Sequence, residues 1–115
     1  MDRRLCEALH VDSREVEAAF PGRTGIYFRY LKRFPEDGTF ADLCEAVLCG
    51  DLPCIQRSAH ALKGLCATLQ LKRLRDLAEE IDFLARQGSI DEIEDRMPEL
   101  TKEYSSVILN IARTT

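Results

Sequence analysis

The chain has 115 residues, of which 45% are hydrophobic and 31% are charged, and its formal net charge is −4. This length suits one domain with its own core, and no apolar run approaches the roughly 20 residues that span a bilayer. The N-terminus lacks the apolar stretch of a signal peptide, and an acidic chain is poorly suited to neutralising nucleic-acid phosphates. We therefore expect a soluble, cytoplasmic, globular protein that binds neither membranes nor nucleic acid.

Helical signals fill the first half of the chain, and no convincing period-2 strand interrupts them. A short helix is predicted within residues 12–22, where an Asp-Ser pair begins it and Pro-Gly ends it. A second helix is predicted over residues 24–34. The pair Thr39 and Asp42 resembles a capping box and predicts a third helix over residues 39–49.

Three longer amphipathic patterns follow. Asp51 caps a helix whose apolar stripe repeats at alternating steps of four and three, through Ile55, Ala59, Leu62, Cys66 and Leu69. The next helix is predicted over residues 71–87. The last apolar series covers residues 90–111, and Pro98 is expected to kink or split it.

Four long helices with short connections predict an all-α fold: an antiparallel four-helix bundle with one or two short N-terminal helices. We expect residues 1–115 to form a single domain, with a helical extension over residues 1–22 and the bundle over residues 24–113. Met1 at the start favours a free-standing protein, which we expect to be a monomer.

The charge is unevenly distributed along the chain. The segment from Leu52 to Arg75 contains no Asp or Glu but five basic residues: Arg57, Lys63, Lys72, Arg73 and Arg75. A basic segment in an acidic chain indicates an anionic partner. Nucleic acid bound through the last three of these residues is the alternative, but the net charge and the lack of interleaved aromatic residues argue against it. The five cysteines are an odd number without C-x-x-C spacing, so they indicate neither a disulfide framework nor a zinc site.

His60 is the residue of greatest interest, because it points away from the apolar stripe. At about 100° per residue, it lies roughly 140° from the centre of the stripe. Gly64 and Ala67 flank it on the outward face, and Lys63 lies between that face and the core. A histidine alone on a surface usually has no role, but these neighbours together favour a phosphoryl acceptor. Glycine within a helix costs about 0.5–1 kcal/mol, and either a partner's approach or a close helix crossing would explain Gly64.

The run His60-Ala61-Leu62-Lys63-Gly64 resembles the His-x-x-Lys-Gly signature of histidine-containing phosphotransfer (HPt) domains, which lies on the second long helix of a four-helix bundle. The resemblance extends in helix order and length over residues 24–113. It implies that His60 accepts a phosphoryl group from an aspartyl phosphate on a receiver domain and passes it to another receiver. Lys63 and Gly64 would then assist the transfer.

Two positions on the following helix extend the resemblance. HPt domains usually carry Gln or Glu, bonded to the imidazole, at the register of Asp82. The resemblance therefore implies that Asp82 accepts a hydrogen bond from Nδ1–H of His60 and leaves Nε2 as the nucleophile. Arg86 occupies a position where relatives also carry basic residues, although an exposed ion pair with Asp82 is the alternative. Many relatives have glycine where this chain has Gln70, which weakens the predicted helix stop.

The resemblance implies a phosphocarrier without kinase activity of its own, and the chain has no glycine-rich nucleotide loop. Its partners would be response-regulator receiver domains, a hybrid sensor histidine kinase, or both. Mg²⁺ would be held by the receiver, with no cofactor and no metal site in this chain. Arg57, Leu65, Ala67 and Arg86 are the candidate binding residues, and Leu65 suits a docking patch and the edge of the core equally well. The alternative function is an adaptor that binds a receiver or kinase without taking phosphate.

Overall fold

The computed structural model describes residues 3–114, and the predicted all-α fold is confirmed. The helices are α1 (Arg3–Ala8), α2 (Ser13–Ala19), α3 (Thr24–Arg33), α4 (Thr39–Cys49), α5 (Leu52–Thr68), α6 (Lys72–Arg86) and α7 (Ile90–Thr114), with a 3₁₀ turn (Phe34–Glu36) after α3. The expectation drawn from Met1 and the predicted domain limits at residues 1 and 115 lie outside the described residues. No helix within residues 3–114 is long and apolar enough to cross a membrane.

Helices α4 to α7 form the bundle, and short turns make each run antiparallel to the one before it. Each packs against the next along the chain. Phe40 of α4 stacks on Tyr104 of α7 with the ring centroids 3.9 Å apart, which brings the first and last helices of the bundle together. The result is a four-helix bundle that α1 to α3 precede in the chain.

The apolar stripe predicted for α5 faces the core. Each of its five members is at most 1% exposed: Ile55, Ala59, Leu62, Cys66 and Leu69. Because the stripe occupies only one side of the helix, the opposite side of α5 is left on the surface. Asp51 caps the start of this helix as predicted, since its carboxylate accepts a hydrogen bond from the Cys54 amide at 3.2 Å.

The three turns that join the bundle helices share one backbone geometry. Gly50, Gln70 and Gly88 have φ angles of 65°, 60° and 72°, in the left-handed region. At the end of α5 the amide of Leu71 donates to the carbonyl of Cys66 at 2.9 Å, and equivalent bonds close the other two turns. Gln70 therefore ends its helix as glycine does elsewhere, and the expected weakening of the helix stop is not seen.

Helix α3 is fixed against the end of the histidine-bearing helix by one buried tyrosine. The hydroxyl of Tyr27 donates a 2.6 Å hydrogen bond to the carbonyl oxygen of Leu69, and the tyrosine is fully buried. Leu69 is the C-cap of α5, and a carbonyl at this position receives no hydrogen bond from an amide of its own helix. The bond therefore satisfies the end of α5 and positions α3.

One local prediction was wrong, and one of the two outcomes expected at Pro98 did not occur. Thr39 does not act as the N-cap in a capping box with Asp42: Gly38 holds the cap position, and Asp37 accepts from the Thr39 amide at 2.8 Å. Pro98 does not split the last helix, because α7 continues from Ile90 to Thr114. Pro98 is exposed, while the apolar residues on either side of it in α7 remain packed in the core. That packing maintains the helix even though Pro98 has no backbone N–H to donate.

Candidate functional site

His60 projects into solvent from the middle of α5, as its register predicted. Its side chain is 60% exposed. Ala61, Gly64 and Ala67, which surround it on the same face, are exposed as well. The imidazole therefore stands above a surface of very small side chains, where another protein can approach it closely.

Gly64 faces open space. A Cβ atom added at this position would meet no other atom within 4 Å. The close helix crossing that would explain a glycine is therefore absent, and packing within this chain gives no reason for the lost helix stability. A partner's approach to His60, the other explanation considered for Gly64, is compatible with this open space.

Asp82 of α6 lies directly against the histidine. Its Oδ2 is 3.2 Å from Nδ1 of His60, and its side chain is only 5% exposed. The contact joins two neighbouring helices, and the carboxylate lies at the border between the core and the exposed ring. The structure thus brings together the two residues whose contact was inferred from resemblance alone.

Two further donors bind the other oxygen of Asp82. Gln56 donates from Nε2 and Arg86 from Nε, each to Oδ1 at 3.1 Å. Arg86 was predicted on this face, and its i,i+4 ion pair with Asp82 is present. Gln56 was missed, because a half-buried glutamine one turn before the histidine carries no signal of its own in one sequence. Its register with His60, four residues apart on α5, is the one clue that the sequence offers.

The surroundings of Asp82 favour its ionised form. Burial alone would raise its pKa, but the hydrogen bonds from Gln56, His60 and Arg86, together with the positive charge of Arg86, hold the pKa below its ordinary value. An ionised carboxylate can only accept hydrogen bonds, so Nδ1 of His60 carries the proton. In the neutral ring, Nε2 then holds a lone pair at the exposed edge.

Lys63 lies one turn further along α5, beside the site. Its Nζ is 3.8 Å from Oε1 of Glu79 on α6, and both side chains are partly exposed. Solvated pairs of this kind contribute about 0–1 kcal/mol. The ammonium can therefore leave Glu79 at little cost in free energy.

The candidate binding residues at the edges of the site have different surroundings. Arg57 is exposed one turn before His60, and its Nη2 donates to Sγ of Cys54 at 3.1 Å. Leu65 is half-buried and lines a cavity of about 230 Å³ together with Tyr30 and Leu69. Leu65 thus contributes to the core and to a small surface recess.

The basic segment predicted from the sequence is largely neutralised in the fold. Lys63 pairs with Glu79, Lys72 with Glu15, Arg75 with Asp76, and Arg73 with Glu99 and Glu103. All five acids lie outside the acid-free segment, most of them on other helices, so the sequence could not show that they would pack against it. Lys72 also precedes Asp82 by ten residues, about 15 Å of helix. The acid-free segment therefore does not form a uniformly basic surface, and the cations next to the site are Arg57, Lys63 and Arg86.

Within the described part of the chain, no group of three or more His, Cys, Asp or Glu side chains is arranged to hold a metal ion. Cys66, on the same helix as His60, is fully buried, and burial raises the pKa of its thiol to about 12. The thiolate of Cys66 is accordingly not formed near neutral pH. The chemistry of this face rests on the imidazole and the groups that hold it.

Comparison with known proteins identifies a family for this chain. The family model described as the Hpt domain matches residues 32–108, which include α4 to α6, most of α7 and every residue of the site. Neither the curated proteins nor the solved structures gave a significant match.

Proposed function

Because this chain belongs to the Hpt domain family, we propose that it is a histidine phosphotransfer protein of a two-component phosphorelay in which His60 carries the phosphoryl group. The observation that carries this assignment is an exposed imidazole whose Nδ1 is bound to a buried carboxylate. The other histidine, His10, is exposed in the turn after α1 and has a positive φ of 56°. Among residues 3–114, no comparable carboxylate contact supports a role for His10.

The proposed reaction is an in-line phosphoryl transfer. Nε2 of His60 attacks the phosphorus of an aspartyl phosphate on a receiver domain, forming an N–P bond as the acyl P–O bond breaks. The bonding electron pair remains on the receiver's carboxylate. Nδ1 keeps its proton throughout, and the Asp82 carboxylate stabilises the positive charge that the ring gains. The same steps in reverse deliver the phosphoryl group to the next receiver.

Lys63 and Gly64 assist this reaction in different ways. The Lys63 ammonium moves from Glu79 to the phosphoryl oxygens and offsets part of their negative charge. Gly64 allows the receiver's backbone to approach the imidazole, since no side chain stands in the way. Mg²⁺ bound to the receiver supplies the remaining charge stabilisation. The protein acts as a carrier and not as a kinase.

The proposed partners are receiver domains of response regulators, a hybrid sensor histidine kinase, or both, met by a monomeric carrier in the cytoplasm. Arg57 and Arg86 lie at the edge of the exposed face and suit the acidic surface around a receiver's phosphorylation site. Leu65 and Ala67 contribute apolar contact beside the ring.

Incubation with a phosphorylated receiver tests the proposal. We expect phosphate on this chain that is labile in acid and stable in base, as a phosphoramidate is. The label should be absent from His60→Gln and retained by His10→Asn, a matched control because asparagine tolerates the left-handed backbone of residue 10. If the wild type binds several competent receivers but takes no label, the chain is an adaptor and the relay proposal fails.

A further inference from the structure

The carboxylate of Asp82 is held from two helices at once. Gln56 lies on α5 with His60, whereas Arg86 lies on α6 with Asp82 itself. Both donate to Oδ1, each at 3.1 Å, which leaves Oδ2 to accept from the imidazole. The orientation of the carboxylate, and with it the orientation of the ring, is therefore set by these two donors.

The two donors do not constrain the site equally. The Arg86 side chain is 58% exposed and pairs with Asp82 within one helix, an arrangement worth a few tenths of a kcal/mol. Gln56 is half-buried, and its bond crosses from α5 to α6. It therefore couples the helix that bears the histidine to the helix that bears the carboxylate.

The direction of the amide in Gln56 follows from the charge of its partner. An ionised carboxylate accepts hydrogen bonds and donates none, so the NH₂ group of Gln56 must face Oδ1. Of the interactions that hold the pKa of Asp82 down against the opposing effect of burial, the bond from Gln56 is the largest. Loss of this one donor would leave Oδ1 with Arg86 alone and free the carboxylate to turn.

We propose that Gln56 is a positioning residue for phosphotransfer: acting through Asp82, it keeps Nδ1 of His60 protonated and Nε2 directed outward. This inference rests on the proposed function for its effect on transfer, but the tautomer it predicts is a property of the free protein. Gln56 touches neither the phosphoryl group nor the reacting nitrogen.

The first experiment measures the tautomer without any partner. In the wild type, ¹⁵N–¹H correlation spectra at a pH where the ring is neutral should show His60 mainly as the Nδ1–H tautomer. Gln56→Met keeps the length of the side chain but removes the donor, and it should shift the population towards Nε2–H. Gln87→Met, at an exposed glutamine where α6 ends, is the matched control and should leave His60 unchanged.

The second experiment measures the rate of transfer from a phosphorylated receiver. Gln56→Met should slow transfer about fivefold, the factor expected for the loss of one hydrogen bond. In the Asp82→Ala background the same substitution should have no further effect, because Gln56 acts through the carboxylate.

An unchanged tautomer population in Gln56→Met would overturn the inference, as would an equal loss of rate with and without Asp82. A His60 that takes no phosphate, together with a shifted tautomer in Gln56→Met, would instead contradict the proposed function and leave the positioning role supported.

Discussion

At the scale of single residues, Gly64 is the position that packing within this chain explains least. It lies within α5, where glycine is less favourable than alanine by about 0.5–1 kcal/mol, and no atom of this chain occupies the space that a Cβ would fill. Stability of the isolated protein would thus improve with a larger residue. Its place one turn from His60 fits the proposal that the missing side chain lets a receiver approach the imidazole.

Gly64→Ala should therefore stabilise the protein by about 0.5–1 kcal/mol and yet slow phosphotransfer. Urea denaturation measures the first effect, and the rate of labelling by a phosphorylated receiver measures the second. Gly25→Ala is the matched control, since Gly25 is also helical and open to solvent. It should not slow transfer, and a Gly64→Ala protein with the wild-type rate would contradict the role given to Gly64.

Asp82 gives a pH-dependent prediction. Its folded pKa lies below the ordinary value of 3.8, so its contribution to the free energy of unfolding is fully present above that value. The contribution is lost as the pH falls through the folded pKa. Asp82→Asn should therefore be less stable than the wild type near neutral pH, with the difference shrinking below pH 3.8. Urea denaturation across the acid range measures this, and a constant difference would show that Asp82 is not held in its ionised form.

The sequence predicted the outward direction of His60 from helical periodicity and the neighbouring position of Asp82 from a family resemblance. It did not predict two contacts across the α5–α6 interface: that of Gln56 with Asp82 and that of Glu79 with Lys63. Contacts between helices depend on their relative register, and one sequence contains no direct measure of that register. Polar residues at such positions look like ordinary surface residues until the helices are packed.

At the scale of elements, the three turns between the bundle helices all require one residue in the left-handed backbone conformation. Gly50 and Gly88 take the left-handed conformation without strain, whereas Gln70 must place its Cβ in an unfavourable position. The same hydrogen bonds form at all three turns. The bundle therefore imposes the geometry, and Gln70 follows it at a cost in stability.

Gln70→Gly should accordingly stabilise the protein by about 1 kcal/mol without changing transfer, since residue 70 lies in the turn after α5, ten residues beyond His60. Thermal unfolding measures the gain. Gly88→Ala places a side chain in the same conformation at another turn and should destabilise the protein by a similar amount. Loss of stability in Gln70→Gly would show that the left-handed turn is not what residue 70 adopts.

Element positions were predictable wherever apolar periodicity was strong, as in α5 and α6. The differences fell where local signals competed with packing: the capping box expected at Thr39 did not form, and of the kink or split expected at Pro98 the split did not occur. Helix α1 was not assigned from the sequence, and at six residues it is too short to give a periodic pattern. Its buried Leu5 suggests that tertiary contacts, more than local preference, maintain it.

At the scale of the whole molecule, folding redistributes the charge that the sequence appeared to concentrate. Acids from α2, α6 and α7 pair with most of the cations of the acid-free segment. Within this segment, the positive charge left available to a partner therefore lies close to His60, at Arg57 and Lys63. Recognition of a receiver should depend on a few cations and not on a broad basic surface.

Arg57→Ala should for that reason raise the KM for a phosphorylated receiver by about threefold, the size of effect expected when one charge at the edge of an interface is removed. Arg73→Ala removes the same side chain from a position already paired with Glu99 and Glu103 and should leave the KM unchanged. Steady-state transfer kinetics at two salt concentrations measure both variants. Equal effects of the two substitutions would show that docking depends on the whole basic segment and not only on the cations next to His60.

The central claim is that Nε2 of His60 forms the bond to phosphorus. The most direct test is NMR spectroscopy of the phosphorylated, ¹⁵N-labelled protein, which identifies the nitrogen that is coupled to ³¹P. We expect a single phosphohistidine, substituted at Nε2 of His60, with the proton retained on Nδ1 towards Asp82. Phosphorus on Nδ1 of His60, on His10 or on a carboxylate would contradict it.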